Sequence, residues 1–225
     1  MCNVACVVFC AKALNPAEVE GRRILEVGSI DVNGSLRPIV ESWRPLEYVG
    51  IDMTAGRGVD RVCSAERMVA ELGAESFDVV VATEIIEHVR DWRAVISNLK
   101  NVCRPGGVLL ITTPSIGFPF HAYPHDFWRY EPSDMEHIFA DCTIERLEKN
   151  PYGVGVCVKV RKPQPFQEKD LSDYALYSVV VRQRVRDLSE EILRKERRKK
   201  FLFDNVIMRC MNMSNRVLRL ALDHL

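Results

Sequence analysis

Two apolar runs, and the residues that stop them, limit what this chain can become. Residues 24–27 are closed by Gly28, and residues 46–51 by Asp52, which stands 24 positions after the glycine. Short, continuous apolar runs are how strands buried on both faces read in a sequence. Residues 78–82 and 108–112 repeat the pattern, and a shorter run falls at residues 59–63. Between them lie helical stretches at 35–43, with Pro38 in a first-turn position, at 65–72, and at 91–102, where Trp92, Val95, Ile96 and Leu99 share one face. Strand–helix alternation predicts a mainly parallel α/β sheet with right-handed crossovers. Residues 143–148 and 154–160, joined by a short Pro- and Gly-containing connection, predict an antiparallel pair at the sheet edge.

The stops carry the chemistry. Gly28 has no β-carbon, so a ligand can approach its backbone, and the helix that follows offers unpaired N–H groups. Asp52 ends the second strand, where a carboxylate can accept both hydroxyls of a ribose. Taken singly, Glu26 reads equally as a capping residue and Asp52 as a turn residue. Combined with the strand order they read as a nucleotide site. A dinucleotide fingerprint needs G-x-G-x-x-G, but Ser29, Ile30, Asp31, Val32, Asn33 and Gly34 follow Gly28, so the second glycine is missing. G-x-x-x-x-G-K-[ST] is absent as well, which excludes a nucleoside-triphosphate P-loop.

On these residues the chain resembles the class I S-adenosylmethionine-dependent methyltransferases, over positions 22 to about 161. Leu-Glu-Val-Gly-Ser at 25–29 matches the glycine motif, Asp52 the ribose acid, and residues 77–89 and 103–114 the later motifs. More narrowly, residues 26–35, 85–92 and 123–132 look like a subgroup of small prokaryotic methyltransferases with poorly defined substrates. The resemblance implies a Rossmann-like, seven-stranded, mostly parallel sheet with an antiparallel edge strand. It implies S-adenosyl-L-methionine as cofactor, with Glu26, Gly28 and Ser29 beside its methionine and ribose portions. Asp52 would bind the ribose hydroxyls, Met53 would lie on the adenine, and Ser64 and Ala65 would meet the adenine edge. Thr83 and Glu84 would face the methyl group. Ile30 and Val32 depart from the family's glycines, and Asn33-Gly34 is the candidate for the turn they would have made. Glu87 and His88, expected one turn into the next helix, read as caps and packing residues as readily as catalytic ones.

Residues 114–130 form a Pro-, Gly- and aromatic-rich loop at the carboxyl edge of the sheet, where ligands bind in such folds. His121 and His125 are candidate general bases, and Arg129 a candidate partner for a substrate carboxylate or phosphate. The competing reading pairs Asp126 with Arg129 as a structural ion pair. A metal held by His121, His125 and Asp126 lacks helical spacing, and no metal is expected.

Eight cysteines, at positions 2, 6, 10, 63, 103, 142, 157 and 210, lie mostly in apolar runs without a C-x-x-C pair, as buried thiols of a cytoplasmic protein do. The apolar first 15 residues are too short to span a bilayer and read as a packed helix. Pro163 and Pro165 mark the expected boundary between a methyltransferase domain at 1–163 and a helical C-terminal extension at 164–225. Residues 161–225 hold 15 Lys/Arg against 9 Asp/Glu, with a basic run at 194–200. That run reads as the solvated face of a helix whose apolar side, from Leu202 to Leu220, packs on the domain or a second copy. Contact with an anionic membrane surface or a nucleic acid is the other reading. The amino-methylating N-P-P-[YF] motif is absent after the fourth strand, which disfavours a nucleic-acid substrate. The expected acceptor is a small molecule or glycan, and a degenerate fold serving as a scaffold is the alternative.

Overall fold

Parallel pairing of the apolar runs builds the centre of the molecule. The computed structural model describes residues 4–121, 125–151 and 153–202. Helix α1 (Val4–Ala13) and a short α2 (Pro16–Val19) precede β1 (Arg23–Val27). Then come α3 (Arg37–Ser42), β2 (Glu47–Asp52), β3 (Arg61–Val62), α4 (Met68–Leu72) and β4 (Phe77–Thr83). A single 3-10 turn, Ile86–His88, leads to α5 (Trp92–Val102), β5 (Cys103–Pro114), β6 (Trp128–Arg129) and α6 (Pro132–Ile138). The antiparallel pair β7 (Thr143–Lys149) and β8 (Gly155–Arg161) follows, then β9 (Leu176–Ser178), β10 (Gln183–Val185) and α7 (Glu190–Leu202).

The large sheet has the order β3-β2-β1-β4-β5-β8-β7. Its first five strands are parallel, and β8 and β7 run antiparallel at the edge, as the sequence predicts. The interior strands are mainly apolar because both faces are covered. On one face Ile24, Val79, Val81, Val108 and Leu110 meet Phe9, Cys10 and Leu14 from the α1 region and Leu36 and Val40 from α3. The α5 stripe of Trp92, Val95, Ile96 and Leu99 is fully buried. With β1, β2, β4 and β5 parallel, the residues that end them share one edge.

Residues 164–186 depart from the expected helical extension. The first compact unit runs from Met1 to Arg186, and the second from Asp187 to Leu225. Within the first, β9 and β10 join β6 in a small antiparallel sheet of order β10-β9-β6. Side-chain donors replace the helical bonds this segment would otherwise make. Arg93, at the start of α5, donates Nε to Leu171 O (2.7 Å), one terminal nitrogen to Tyr174 O (2.6 Å) and the other to Arg186 O (2.9 Å). Asp134 receives Tyr174 Oη (2.7 Å) and Arg184 (2.7 Å). In the second unit α7 carries Arg194, Lys195, Arg197, Arg198 and Lys199 exposed to solvent. The apolar positions beyond Leu202 expected to pack it lie outside the described residues, as does Cys2.

Arg93→Ala removes three charge-assisted bonds to backbone carbonyls and lowers unfolding stability by about 2–4 kcal/mol. Chemical denaturation checks this, with hydrogen exchange at 171–186 rising first. Arg93→Lys restores only part, because one ammonium cannot span three separated carbonyls.

Candidate active site

The turn after β1 is built by two backbone bonds. Gly28 and Ser29 both donate to Ile51 O, at 2.9 and 3.0 Å. Gly28 has φ +77°, and a β-carbon there would lie 3.0 Å from Ile85 Cδ1, so conformation and contact both demand glycine. The space was expected to admit a ligand, and Ile85 occupies it. Ser29 is buried with its hydroxyl unbonded, facing Gly50 rather than the open edge. Asn33-Gly34 makes the expected turn, with Gly34 at φ +121° and its N–H on Asp31 Oδ1 (3.2 Å). Asp31 also latches this loop to the one after β2, through its N–H to Arg57 O (2.8 Å) and its carboxylate to Arg57 Nε (3.2 Å).

Asp52 ends β2 half-buried, and the N–H and hydroxyl of Thr54 both bond its Oδ1 at 3.1 Å. Beside it Met53 is 76% exposed, and Val62, the β3 strand partner of Asp52, is 58% exposed. Two apolar side chains left open next to a carboxylate form a surface suited to a flat heterocycle. Met53 and Asp52 are among the sequence candidates for cofactor binding, and Val62 is not, since β3 carries too short a pattern. Ser64 Oγ accepts from Glu66 N–H (3.3 Å), and Ala65 is buried beneath it.

Three carboxyls from β1 and the segment after β4 lie in dry surroundings. Glu26 is 2% exposed, receives Tyr48 Oη (2.9 Å), and is pushed up to about 7 by burial. Arg37 stacks over the Tyr48 ring at 4.5 Å and pairs with Asp60, which accepts Gly50 N–H. Thr83 is buried with its hydroxyl unbonded. Glu84 has φ +54°, a strained conformation for a non-glycine residue, of the kind that clusters at functional sites. Its Oε1 accepts from Thr112 Oγ1 (3.2 Å) and from Cys6 Sγ (3.4 Å) of α1, and burial pushes it up to about 7. Glu87 is fully buried and likewise raised to about 7 by burial, with Oε2 bonded by Thr113 Oγ1 (3.1 Å) and Oε1 bonded by nothing. It caps no helix. The signal for it in the sequence was a charged residue inside an otherwise apolar Ile-Ile-Glu-His segment.

The loop after β5 is seated on this segment. Phe127 N–H bonds Glu87 O (2.9 Å), Trp128 Nε1 bonds Val89 O (3.0 Å), and Tyr130 Oη bonds Ile86 O (3.2 Å). Arg129 is not presented to a substrate. It is 1% exposed, and its five N–H donors meet Phe118 O, Trp128 O, Pro119 O and both oxygens of Asp126. The substrate role expected for Arg129 gives way to the ion-pair reading, because no donor is left over. The two histidines separate. The His125 ring is exposed against Phe127, while the His121 ring stands 4.9 Å from His88. His121 Nδ1 is 3.1 Å from Asp126 Oδ2 without the alignment of a hydrogen bond, and His88 Nδ1 reaches His125 O at 2.5 Å. Burial lowers the pKa of both imidazoles, so both sit neutral near pH 7.

This sheet order, with a glycine turn after β1, an acid ending β2 and a helix-backed edge, defines a class I methyltransferase fold. A profile of the methyltransferase domain matches residues 8–151, and the chain belongs to that family. It is 51% identical over 53 residues to the mitochondrial ubiquinone biosynthesis O-methyltransferase of Homo sapiens, covering 24% of this chain and 14% of that protein. It is 34% identical over 110 residues to the ubiquinone biosynthesis O-methyltransferase of Hahella chejuensis, covering 43% of this chain and 45% of that one. The chain thus spans less than half the length of these curated relatives. Among solved structures, the 1,6-didemethyltoxoflavin-N1-methyltransferase of Burkholderia thailandensis, crystallised with 1,6-didemethyltoxoflavin and S-adenosylhomocysteine, superposes with a TM-score of 0.58 at 13% identity, over 71% of this chain and 79% of that one.

Glu26→Gln reports on the carboxyl burial. Below about pH 4 the carboxyl is neutral in both folded and unfolded chains, so the difference from wild type is set by the amide alone. Between the ordinary value of 4.5 and the folded value of about 7 the unfolded chain ionises first, and the native carboxyl loses relative stability as pH rises. The variant therefore gains about 3 kcal/mol over the wild type across that window. Urea unfolding at stepped pH values measures it, and a pH-independent difference would contradict the burial.

Proposed function

We propose that the chain is an S-adenosylmethionine-dependent methyltransferase that methylates a hydroxyl of a small-molecule acceptor. The observation that carries the cofactor reading is the pairing of Asp52, whose Oδ2 is clear of the bonds from Thr54, with the exposed Met53 and Val62. That surface fits a ribose and an adenine side by side. Bound there, the cofactor supplies an electrophilic methyl carbon on a sulfonium. Asp52 accepts the ribose hydroxyls, Met53 and Val62 cover the adenine, and Ser64 and Ala65 bound its edge. Glu26 and Glu84 offer negative charge to the cationic methionine end, and each sheds its proton more readily as that charge arrives. The names of the relatives support an oxygen acceptor.

On the acceptor side, the neutral His121 and His88 supply basic ring nitrogens at the same edge. A proton leaving the acceptor hydroxyl passes to His121, and Asp126 steadies the imidazolium that results. In-line positioning and exclusion of water supply most of the remaining acceleration. No disulfide joins the described cysteines, and burial raises Cys103, Cys142 and Cys157 to about 12, which suits a reducing, cytoplasmic setting. No helix among the described residues is long and apolar enough to cross a membrane. The exposed basic residues of α7 support a solvated face.

Titration calorimetry with S-adenosylmethionine and S-adenosylhomocysteine tests the reading. Both bind at micromolar concentration. Asp52→Ala weakens both at least tenfold, about 1.4 kcal/mol. Repeating the titration in buffers of different ionisation enthalpy near pH 7 shows proton release on binding. Absence of heat at millimolar cofactor with a folded protein overturns the assignment. His121→Ala lowers kcat far more than it changes KM and removes the acidic limb of the pH profile.

A further inference from the structure

We propose that Tyr48 is a positioning residue for the amino-acid end of the cofactor, holding Glu26 so that one carboxylate oxygen is offered to the ligand's ammonium group. The inference rests on the methyl-transfer reading and adds to it a residue that is not itself a cofactor contact.

The contact follows from strand register. Glu26 on β1 stands opposite Gly50 on β2, and Ile24 stands opposite Tyr48. Residues two apart along a strand share a face, so Tyr48 is the diagonal neighbour of Glu26 and lies within reach of a long side chain. Gly50 places no side chain between them. Tyr48 Oη donates to Glu26 Oε2 at 2.9 Å. Burial, and then the carboxyl beside it, push the Tyr48 hydroxyl well above its ordinary pKa, so it keeps its proton and acts as a donor. Glu26 Oε1 meets no donor among the described residues, and it is not one of the oxygens sealed away from solvent. One oxygen is therefore fixed and the other is left for a ligand.

The phenol is itself held. Arg37 of α3 lies over the Tyr48 ring at 4.5 Å, and its guanidinium is tied to Asp60 and to Gly58 O (3.1 Å). Asp60 accepts Gly50 N–H (2.6 Å) and donates its own N–H to Gly50 O (2.8 Å). The arrangement requires glycine at 50, since a β-carbon there would lie 2.7 Å from both Arg37 Nη2 and Ser29 Oγ. Arg37 directs its charge to Asp60 and Glu41, and Glu26 forms no ion pair among the described residues. A dry carboxyl with one neutral donor and no cation is completed by an ammonium, which adds opposite charge and a charge-assisted hydrogen bond. The ribose and adenine surface at Asp52, Met53 and Val62 does not involve Tyr48. The hydroxyl thus matters to a ligand that carries the ammonium and not to one that lacks it.

Titration calorimetry with two ligands tests this. S-adenosylhomocysteine carries the ammonium, and methylthioadenosine has the same adenine, ribose and sulfur without it. Tyr48→Phe keeps the ring under Arg37 and removes the hydroxyl. It weakens S-adenosylhomocysteine at least fivefold, about 1 kcal/mol, and leaves methylthioadenosine within twofold of wild type. Glu26→Gln weakens S-adenosylhomocysteine by at least as much, and the double variant binds it no more weakly than Glu26→Gln alone. Equal loss of both ligands in Tyr48→Phe marks a purely structural role and overturns the proposal. Unchanged S-adenosylhomocysteine binding, or losses that add in the double variant, overturns it as well. Should circular dichroism show Tyr48→Phe unfolded, Arg37→Lys keeps the pairing with Asp60 and loses the flat stack on the ring. It is expected to give the same selective loss, and an unselective loss or none overturns the proposal. Binding of both ligands by the wild type without selective loss in the variants counts against Tyr48 alone. Binding of neither by the folded wild type overturns the cofactor reading and this role with it.

Discussion

The buried pair between Asp126 and Arg129 holds the loop after β5 together. A loop between β5 and α6 would ordinarily leave its carbonyls to water. Here Arg129 collects Phe118 O, Pro119 O and Trp128 O while bridging both oxygens of Asp126. Asp126 in turn fixes the His121 backbone through its N–H (2.7 Å) and stands beside its ring. A buried ion pair adds little net stability over an apolar one of equal volume, but breaking it strands a charge. Its value in this fold is geometric, because it decides where His121 points. From the other side β6 pairs with β9 through Trp128 and Arg129, so residues 176–178 brace the same loop.

A second constraint runs along the sheet edge. Glu26, Glu84 and Glu87 come from β1, the end of β4 and the 3-10 turn, and burial raises all three to about 7. Raised carboxyl values mean that burial disfavours the ionised form of each of the three in its own dry surroundings. A cation beside any one of them would favour its ionised form. The left-handed backbone at Glu84 belongs to the same account, since strain and desolvation are both held in place by packing. Helix α1 contributes through Cys6, which donates to Glu84 and covers it. An apolar amino-terminal helix thus helps to keep the carboxyl dry as well as packing the sheet.

Much of this architecture was legible in the sequence. Strands buried on both faces announce themselves, and β1, β2, β4, β5 and the β7–β8 pair lie where the apolar runs put them. That Asp52 ends β2 and that the chain turns at Gly34 depend on local rules and were equally readable. What escaped depends on distant side chains. Strands β9 and β10 exist because Arg93 and Asp134 satisfy an extended segment that reads as helix by composition. Arg129 looked like a substrate contact because a loop arginine in isolation has five free donors. Glu87 looked like a cap because nothing local says that Thr113, 26 residues away, shares its hydrogen bond.

The glycine loop shows how a departure from a family pattern can be absorbed. Extra glycines give such a loop the freedom to curl around a ligand. This chain places Ile30 and Val32 there and retains positive φ at Gly28 and Gly34 alone within residues 28–35. The lost freedom is replaced by a latch to the loop after β2, where Asp31 engages Arg57. Gly56 supplies the slimness that Ile30 lacks, since a β-carbon on Gly56 would lie 2.7 Å from Ile30 Cδ1. Gly58 does the same for Ser29, whose carbonyl oxygen would stand 2.5 Å from a β-carbon there. The glycines have moved from the first loop to the loop that packs on it. The edge next to Asp52 is therefore shaped by two loops acting as one body, and a change at position 56 or 58 disturbs the first loop as surely as a change within it.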